Sequence, residues 1–322
     1  MVKLDIKDKK ILYELDSNSR QSIPQLSKKV GLHKNALRYR IRRFEKQGII
    51  TNYYTVIDSY KLGYMVLKFY TSYQNATSAI KKEIVDYLVK SKITWLVSSV
   101  EGEFDLDVIF WIKNMSQFYS YWNKTLNKYG KYFRDQVFYY QIKAISYKPS
   151  YLLFDKRKPD NEKCEITGYE STIQIDDLDY RLLYLLSSDA RLSIVNIAKK
   201  LGITTNIARY RIKKLINLGI IQGFRINIDI SKLDYQNVKV DIFLNDYNEK
   251  TKIINYIKHN PYLLCIMTSI GRAHIELEFN VENTKNLYHI LEDLIDKFPN
   301  IINYYKYFTF LENHKLSWMP EL

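Results

Sequence analysis

The sequence predicts an α+β chain built twice, each copy a helical head followed by a unit that mixes strands and helices. Residues 5–58 align without a gap on residues 176–229 at an offset of 171, with 22 of 54 pairs identical. Each copy reads as three short helices and a β-rich tail. Behind each lies a stretch patterned strand, helix, strand, strand, helix, strand. A period this long exceeds the roughly 20–50 residues of a solenoid unit, so it marks a domain pair duplicated once.

In the first copy, Asp8–Leu15 places Ile11, Leu12 and Leu15 on one helical face. Asp8 lies near the start of that helix, where a carboxylate suits the positive end of the dipole. Ser22 ahead of Ile23-Pro24-Gln25-Leu26 is a helix start with proline in the first turn. Gly31 closes that helix, and the next, about 34–46, buries Leu37, Ile41 and Phe44. Gly48 ends it, and residues 49–56 read as a β-wing. The second copy repeats the plan with Asp179, Ser193 and Gly202, then Ala208, Ile212 and Leu215 inward and Gly219 closing. Each head is therefore a winged helix-turn-helix.

The sheet units predict strands at 65–73, 93–100, 103–112 and 134–147 around helices at 77–90 and 114–129. The partner strands are 237–244, 262–270, 273–280 and 301–312, with helices at 248–259 and 282–297. The order βαββαβ implies a ferredoxin-like sheet with helices on one face. Residues 1–60 and 172–231 are read as heads, 61–150 and 232–322 as ferredoxin-like effector and dimerisation domains. The polar stretch 151–171, with Pro159 and Gly168, is read as a linker. The two halves are expected to pair through their sheets as an intrachain pseudo-dimer, with exposed sheet edges available for homo-oligomers.

The formal charge of +14 is unevenly placed. Residues 1–58 hold 13 Lys and Arg against 6 Asp and Glu, and residues 172–229 hold 9 against 5. Residues 230–322 hold 10 against 12. Residues 59–150 hold 13 against 7, so both heads are basic while the end of the chain is slightly acidic, and the excess favours a polyanionic partner. Cys164 and Cys265 lack CxxC spacing, which fits a reducing cytoplasm and argues against a structural zinc. No metal and no cofactor is expected. No apolar run approaches the roughly 18 residues of a membrane span, and residues 1–10 lack a signal-peptide core.

A recognition helix lies in the major groove with its N-terminal residues on base edges. With Leu37, Ile41 and Phe44 inward, the exposed face carries His33, Lys34, Asn35, Arg38, Tyr39 and Arg42. The second head offers Thr204, Thr205, Asn206, Arg209, Tyr210 and Lys213. Asn pairs bidentately with adenine and Arg with guanine, which singles out Asn35 and Asn206, Arg38 and Arg209. Arg40 and Arg211 lie toward the flank, facing a phosphate or a neighbouring acid. Arg20 and Arg191, Ser22 and Ser193 stand at a helix start suited to phosphate. Basic residues on an exposed helix need no ligand; the same spacing behind two Ser-capped helices and two glycine turns favours double-stranded DNA.

Each half resembles the leucine-responsive regulatory protein/AsnC family, the feast/famine regulators. The first half matches at Asp8 through Leu15, Arg20, Leu26, Gly31-Leu32, Arg40-Ile41, Phe44-Glu45, Gly48, Ile50 and Leu62-Gly63. The second matches at Asp179 through Leu185, Arg191, Ile197-Ala198, Gly202, Arg211-Ile212, Leu215, Gly219 and Ile221. The resemblance implies a winged helix-turn-helix followed by a βαββαβ effector-binding domain, and a transcriptional regulator. His33-Lys34-Asn35 and Thr204-Thr205-Asn206 replace the family's Ser-Pro-rich turn, which leaves the operator sequence open.

The resemblance also implies a small-molecule effector, such as an amino acid, near a glycine hairpin in the sheet domain. Here Gly102, Glu103 and Asp105 match that element, while in the second half Gly271 is kept and His274 replaces the aspartate. The hairpin reads either as a zwitterion site or as a tight turn in which glycine supplies positive φ. Two other readings compete. The fold family includes haem-biosynthesis decarboxylases that look like paired regulator halves, though no GxSxG, Walker loop or metal-spaced cluster appears and no catalytic residue is expected. An architectural, sequence-indifferent DNA protein is the other; Asn and Arg at both groove faces argue for readout.

Overall fold

A computed structural model of the 322-residue chain describes residues 3–153, 163–168 and 171–321. The first head comprises α1 (Ile6–Ser17), α2 (Ile23–Val30), α3 (Lys34–Lys46) and β1 (Ile50–Ile57). Asp5 caps α1 by accepting from the Asp8 amide at 2.7 Å. Ser22 caps α2 in a reciprocal box with Gln25, and Gly31 ends it at φ 70°. Leu26, Leu37, Ile41 and Phe44 meet Ile11, Leu12 and Leu15 in one core.

The first sheet unit follows as β2 (Met65–Thr71), α4 (Ser78–Val89), β3 (Thr94–Gly102), β4 (Leu106–Ile112), α5 (Met115–Tyr129) and β5 (Val137–Tyr147). Next come β6 (Lys163–Gly168), then the second head: α6 (Asp177–Ser188), α7 (Ile194–Leu201), α8 (Thr205–Asn217) and β7 (Ile221–Ile228). The last unit is β8 (Gln236–Leu244), α9 (Lys250–Ile257), β9 (Leu263–Ile270), β10 (Ile275–Val281), α10 (Thr284–Lys297) and β11 (Ile302–Leu316). The fold is α+β, and the observed elements follow the predicted order in both halves.

The two sheets do more than face each other. β2, β4, β3, β11, β8, β10, β9 and β5 pair in that order, and β5 pairs back to β2, so eight antiparallel strands close into a barrel. The last strand of each half is the seam, β5 joining β9 and β11 joining β3. The edges expected to remain open for further assembly are thus used within the chain, which removes the unpaired donors an edge presents.

Side chains alternate across this wall. Leu67, Phe69, Val108 and Phe110 point outward beneath the helices of the first unit. Val238, Val240, Ile242 and Leu277 do the same in the second. The other face of each strand lines the barrel interior.

The stretch read as a linker is partly structural. Tyr151 and Leu152, in a short turn after β5, are buried in the first head's core. Residues 163–168 form β6 on the end of β5, from Lys143 opposite Gly168 to Tyr147 opposite Lys163. The remainder of 151–171, apart from Leu153 and Ser171, lies outside the described residues. No described helix is long and apolar enough to cross a membrane.

Candidate nucleic-acid interface and a central cavity

The heads grip each other with reciprocal contacts. β1 and β7 pair antiparallel, Tyr54 opposite Arg225 and Val56 opposite Gly223. The Ser19 amide donates to Phe224 O at 2.8 Å, and the equivalent Ala190 amide donates to Tyr53 O at 2.9 Å. Asp58 N to Ile220 O and Asp229 N to Ile49 O form a second matched pair, at 2.8 and 2.9 Å.

This junction claims two residues expected at DNA. Arg20 is largely buried; its guanidinium donates to Ala190 O and Leu192 O and lies 5.4 Å from the Phe224 ring centre. Arg191 sits 5.0 Å from the ring centre of Tyr53, the residue equivalent to Phe224. Arg20 and Arg191 therefore take part in the head-to-head junction, and the phosphate role stands as an expectation.

Arg40 and Arg211 meet acids, the second of the two partners expected for them. Arg40 reaches Asp5 at 2.6 Å and Asp8 at 2.7 Å, and Arg211 reaches Asp176 and Asp179, both at 2.7 Å. Hydrogen bonds from these arginines hold the Asp5 and Asp176 carboxyls below their ordinary range. The ties clamp α3 on α1 and α8 on α6. They fix the angle of each recognition helix without touching its outer face.

That face is open in both heads. Asn35, Arg38, Tyr39 and Arg42 are exposed on α3, and Asn206, Arg209, Tyr210 and Lys213 on α8. Tyr39 and Tyr210 keep 68% and 69% of their surface at matched sites. Arg38 contacts Asn35 Oδ1 at 3.5 Å and Arg209 contacts Asn206 Oδ1 at 3.4 Å, contacts long enough to exchange for a base edge. Lys34 is exposed and Thr205 half-buried at the two helix starts. His33 caps α3 through Nδ1 by accepting from the Asn35 amide, while Thr204 caps α8 by accepting from Ile207. Ser22 and Ser193 are exposed caps of α2 and α7.

The hairpin residues expected at an effector have internal partners instead. Asp105 Oδ2 accepts from the Tyr73 amide at 2.7 Å. His274 Nδ1 accepts from the Leu244 amide at 2.8 Å, the same task at the equivalent place. Glu103 pairs with Arg272 and, at 2.7 Å, with Lys306 across the seam. A Cβ at Gly102 would meet Tyr307 O at 2.8 Å, and one at Gly271 the Tyr139 ring at 2.8 Å. Both glycines have positive φ where a hairpin meets the other half's last strand, so close approach explains them. Gly102, Glu103, Asp105, Gly271 and His274 thus serve the seam between the halves, and the zwitterion site expected there stands as an expectation.

A feature missed from sequence fills the barrel. Lys68 and Lys239, at equivalent positions, are buried inside it. Lys68 reaches Glu276 at 3.0 Å; Lys239 reaches Glu276 at 2.9 Å and Asp241 at 2.5 Å. The two ammonium groups hold the Glu276 carboxyl well below its ordinary range, against the opposing effect of burial. Nearby, Arg225 is gripped by Asp16 and, at 3.2 Å, by Glu165 from β6.

Beside this network lies a cavity of about 400 Å³. The Trp95–Trp111 and Tyr54–Trp318 stacks line it, as do Asp107, Glu278 and β1 and β7 residues of the head ribbon. Burial raises the Asp107 carboxyl to about 7. The sequence signal was available: a lysine repeated at offset 171 in the middle of two apolar strands.

Two winged helix-turn-helix heads locked together over one closed barrel define the class of this protein. Two family descriptions match, a winged helix-turn-helix DNA-binding model over residues 4–51 and an AsnC-type helix-turn-helix model over 175–216. An uncharacterized HTH-type transcriptional regulator of Pyrococcus furiosus is 34% identical over 103 residues, covering 32% of this chain and 70% of the relative. HTH-type transcriptional regulator LrpA of Pyrococcus abyssi is 42% identical over 127 residues, covering 39% and 90%. The chain belongs to the Lrp/AsnC family of HTH-type regulators, with two heads in tandem. The crystal structure of the siroheme decarboxylase NirDL matches 98% of this chain and 94% of its own, with a TM-score of 0.65 at 11% identity. That likeness shows a shared fold.

Proposed function

We propose that the chain is a transcriptional regulator that binds double-stranded DNA and reads two unequal half-sites in a fixed order. The observation that carries this reading is the matched pair of exposed faces, Asn35-Arg38-Tyr39-Arg42 and Asn206-Arg209-Tyr210-Lys213, on heads whose spacing the β1–β7 ribbon fixes. The fold uses neither face for its own cohesion. Family dimers bring two chains together; here one chain supplies both heads, and covalent linkage raises their effective concentration on DNA. Arg42 against Lys213 and His33-Lys34 against Thr204-Thr205 support half-sites that differ. The division into two heads, two sheet domains and an intervening segment is part of the same reading.

Site selection with the purified chain, followed by footprinting, tests it. Arg38→Ala and Arg209→Ala each weaken binding by roughly 1–3 kcal/mol, the range for a bidentate contact to guanine, and relax one half-site each. The double variant abolishes specific protection. Equal affinity for scrambled duplexes, or no effect of either single change, defeats the reading.

The whole-chain likeness to a decarboxylase favours a second reading, tetrapyrrole chemistry in the barrel. Against it, among the described residues the three cations that line the cavity, Lys68, Lys239 and Arg225, are all engaged by the chain's own carboxylates. A polycarboxylate would find little unclaimed positive charge there. Turnover of a tetrapyrrole by the purified protein would reinstate this alternative.

A further inference from the structure

Among the described residues, the barrel interior leaves two cavity-lining carboxyl groups without an ion-paired cation, Asp107 and Glu278; Glu278 Oε1 accepts from Asn237 at 3.0 Å, which leaves Asp107 as the one with an open oxygen. Lys68 and Lys239 are taken by Glu276 and Asp241, and Arg225 by Asp16 and Glu165. Asp107 on β4 lines the cavity, is 99% buried, and its Oδ1 has no hydrogen-bond partner. Its neighbours across the strands do not help. Opposite it on β2 stands Tyr70, whose hydroxyl also faces the cavity unpartnered, and on β3 Ser98, which bonds Asn313. Two adjacent buried polar groups left open carry a penalty of roughly 1–3 kcal/mol each. Eight-stranded barrels of this kind have room inside for side chains or one small ligand. A volume of about 400 Å³ falls in the range of small-molecule sites and far exceeds one water.

We propose that this cavity binds a small organic cation, a primary amine or guanidine on an aliphatic body, with Asp107 meeting the charge and the Trp95–Trp111 and Tyr54–Trp318 stacks receiving the body. Aromatic faces attract a desolvated cation as well as its alkyl chain. An anion would find its candidate lysines and arginine already engaged. A neutral apolar molecule would leave Asp107 and Tyr70 unsatisfied.

Proton linkage follows from the surroundings. Lys68 and Tyr70 on β2, Lys239 and Asp241 on β8, and Glu276 and Glu278 on β10 face Asp107. The lysines pull its pKa down and the two glutamates push it up, but burial dominates and sets it near 7. A bound cation ionises Asp107, so affinity strengthens as pH rises through about 7.

Titration calorimetry and tryptophan fluorescence with n-pentylamine and agmatine, against n-pentanol and L-glutamate, test the site. Three of the chain's four tryptophans line the cavity, so occupancy reports optically. At least one amine is expected to bind once per chain, about tenfold or more tighter than the alcohol, and tighter at pH 8 than at pH 6. Asp107→Asn, checked for folding by circular dichroism, is expected to lose the preference for amine over alcohol. The proposal is overturned by any of four results: no saturable binding of either amine, equal affinity for amine and alcohol, tighter binding of glutamate, or an Asp107→Asn protein that keeps the amine preference. It stands apart from the DNA-binding reading, since every readout is taken without DNA.

Discussion

The heads and the barrel interior descend from the same duplication but have diverged differently. Each head keeps its clamps: Arg40 on Asp5 and Asp8, Arg211 on Asp176 and Asp179, a serine cap, and a glycine stop. The barrel keeps its backbone pairing, one lysine per half (Lys68, Lys239) and one acid per half (Asp107, Glu276), while the rest of its interior differs. In the first half the inward residues Val66, Tyr70, Ile109 and Trp111 make a largely apolar, aromatic wall. In the second half the equivalents are Asn237, Asp241, Glu278 and Asn280, a polar and acidic wall. Two copies of one job restrain the heads, whereas a single shared interior lets each half specialise. The strongest asymmetry in the molecule lies under the ribbon, away from the recognition helices.

The largest effect is expected from removing the duplicated lysine from the polar wall. Lys239→Met leaves Asp241 and Glu276 facing each other in the interior and is expected to cost roughly 3–5 kcal/mol, as when one partner of a buried ion pair is deleted. Lys68→Met is expected to cost clearly less, because Glu276 keeps Lys239. Urea midpoints at pH 7 measure both. Equal losses would mean that the two walls are energetically alike despite their composition.

That contrast also explains what was legible in the sequence. The helix starts at Ser22 and Ser193, the stops at Gly31 and Gly202, and both βαββαβ units could be read because local chemistry dictates them. The seam could not be read. Closing the barrel through β5–β9 and β11–β3 depends on contacts between strands more than a hundred residues apart. The same gap hid the ties of Arg20 to the second head, which no pattern within one head announces. Asp105 and His274 hid a shared role for a related reason: chemically different side chains accept from equivalent backbone amides, a task the substitution does not reveal.

Within the apolar wall Asp107 is the exception. Burial raises its folded-state pKa to about 7, above the ordinary 3.8. Between those values the folded chain holds a proton that the unfolded chain has released. Asp107 therefore costs the wild type stability progressively as pH rises from about 4 to about 7, with no further change above. Asp107→Asn has no such titration. Its stability relative to wild type is expected to climb across that window by roughly 2–4 kcal/mol, since each unit is worth about 1.4. Glu165, also raised to about 7 by burial, bends both curves alike and cancels in the difference. Thermal melts in matched buffers from pH 4 to 8 read it, and a flat difference would show that Asp107 is solvated.

The smallest effect tests the sameness of the heads. Ser22 accepts from the Gln25 amide at 3.4 Å and Ser193 from the Asn196 amide at 3.1 Å, both at exposed starts of eight-residue helices. Only the first head adds the reciprocal bond from the Ser22 amide to Gln25 Oε1, and that bond survives loss of the serine hydroxyl. Ser22→Ala and Ser193→Ala are therefore expected to cost about 1 kcal/mol each and to agree within a few tenths. Chemical denaturation of the two single variants and the double decides it, with additive losses expected, because α2 and α7 lie in separate cores. A loss at one head twice that at the other would place divergence in the head scaffolds themselves. The reading of unequal half-sites would then rest on how firmly each helix is held as well as on which side chains it presents.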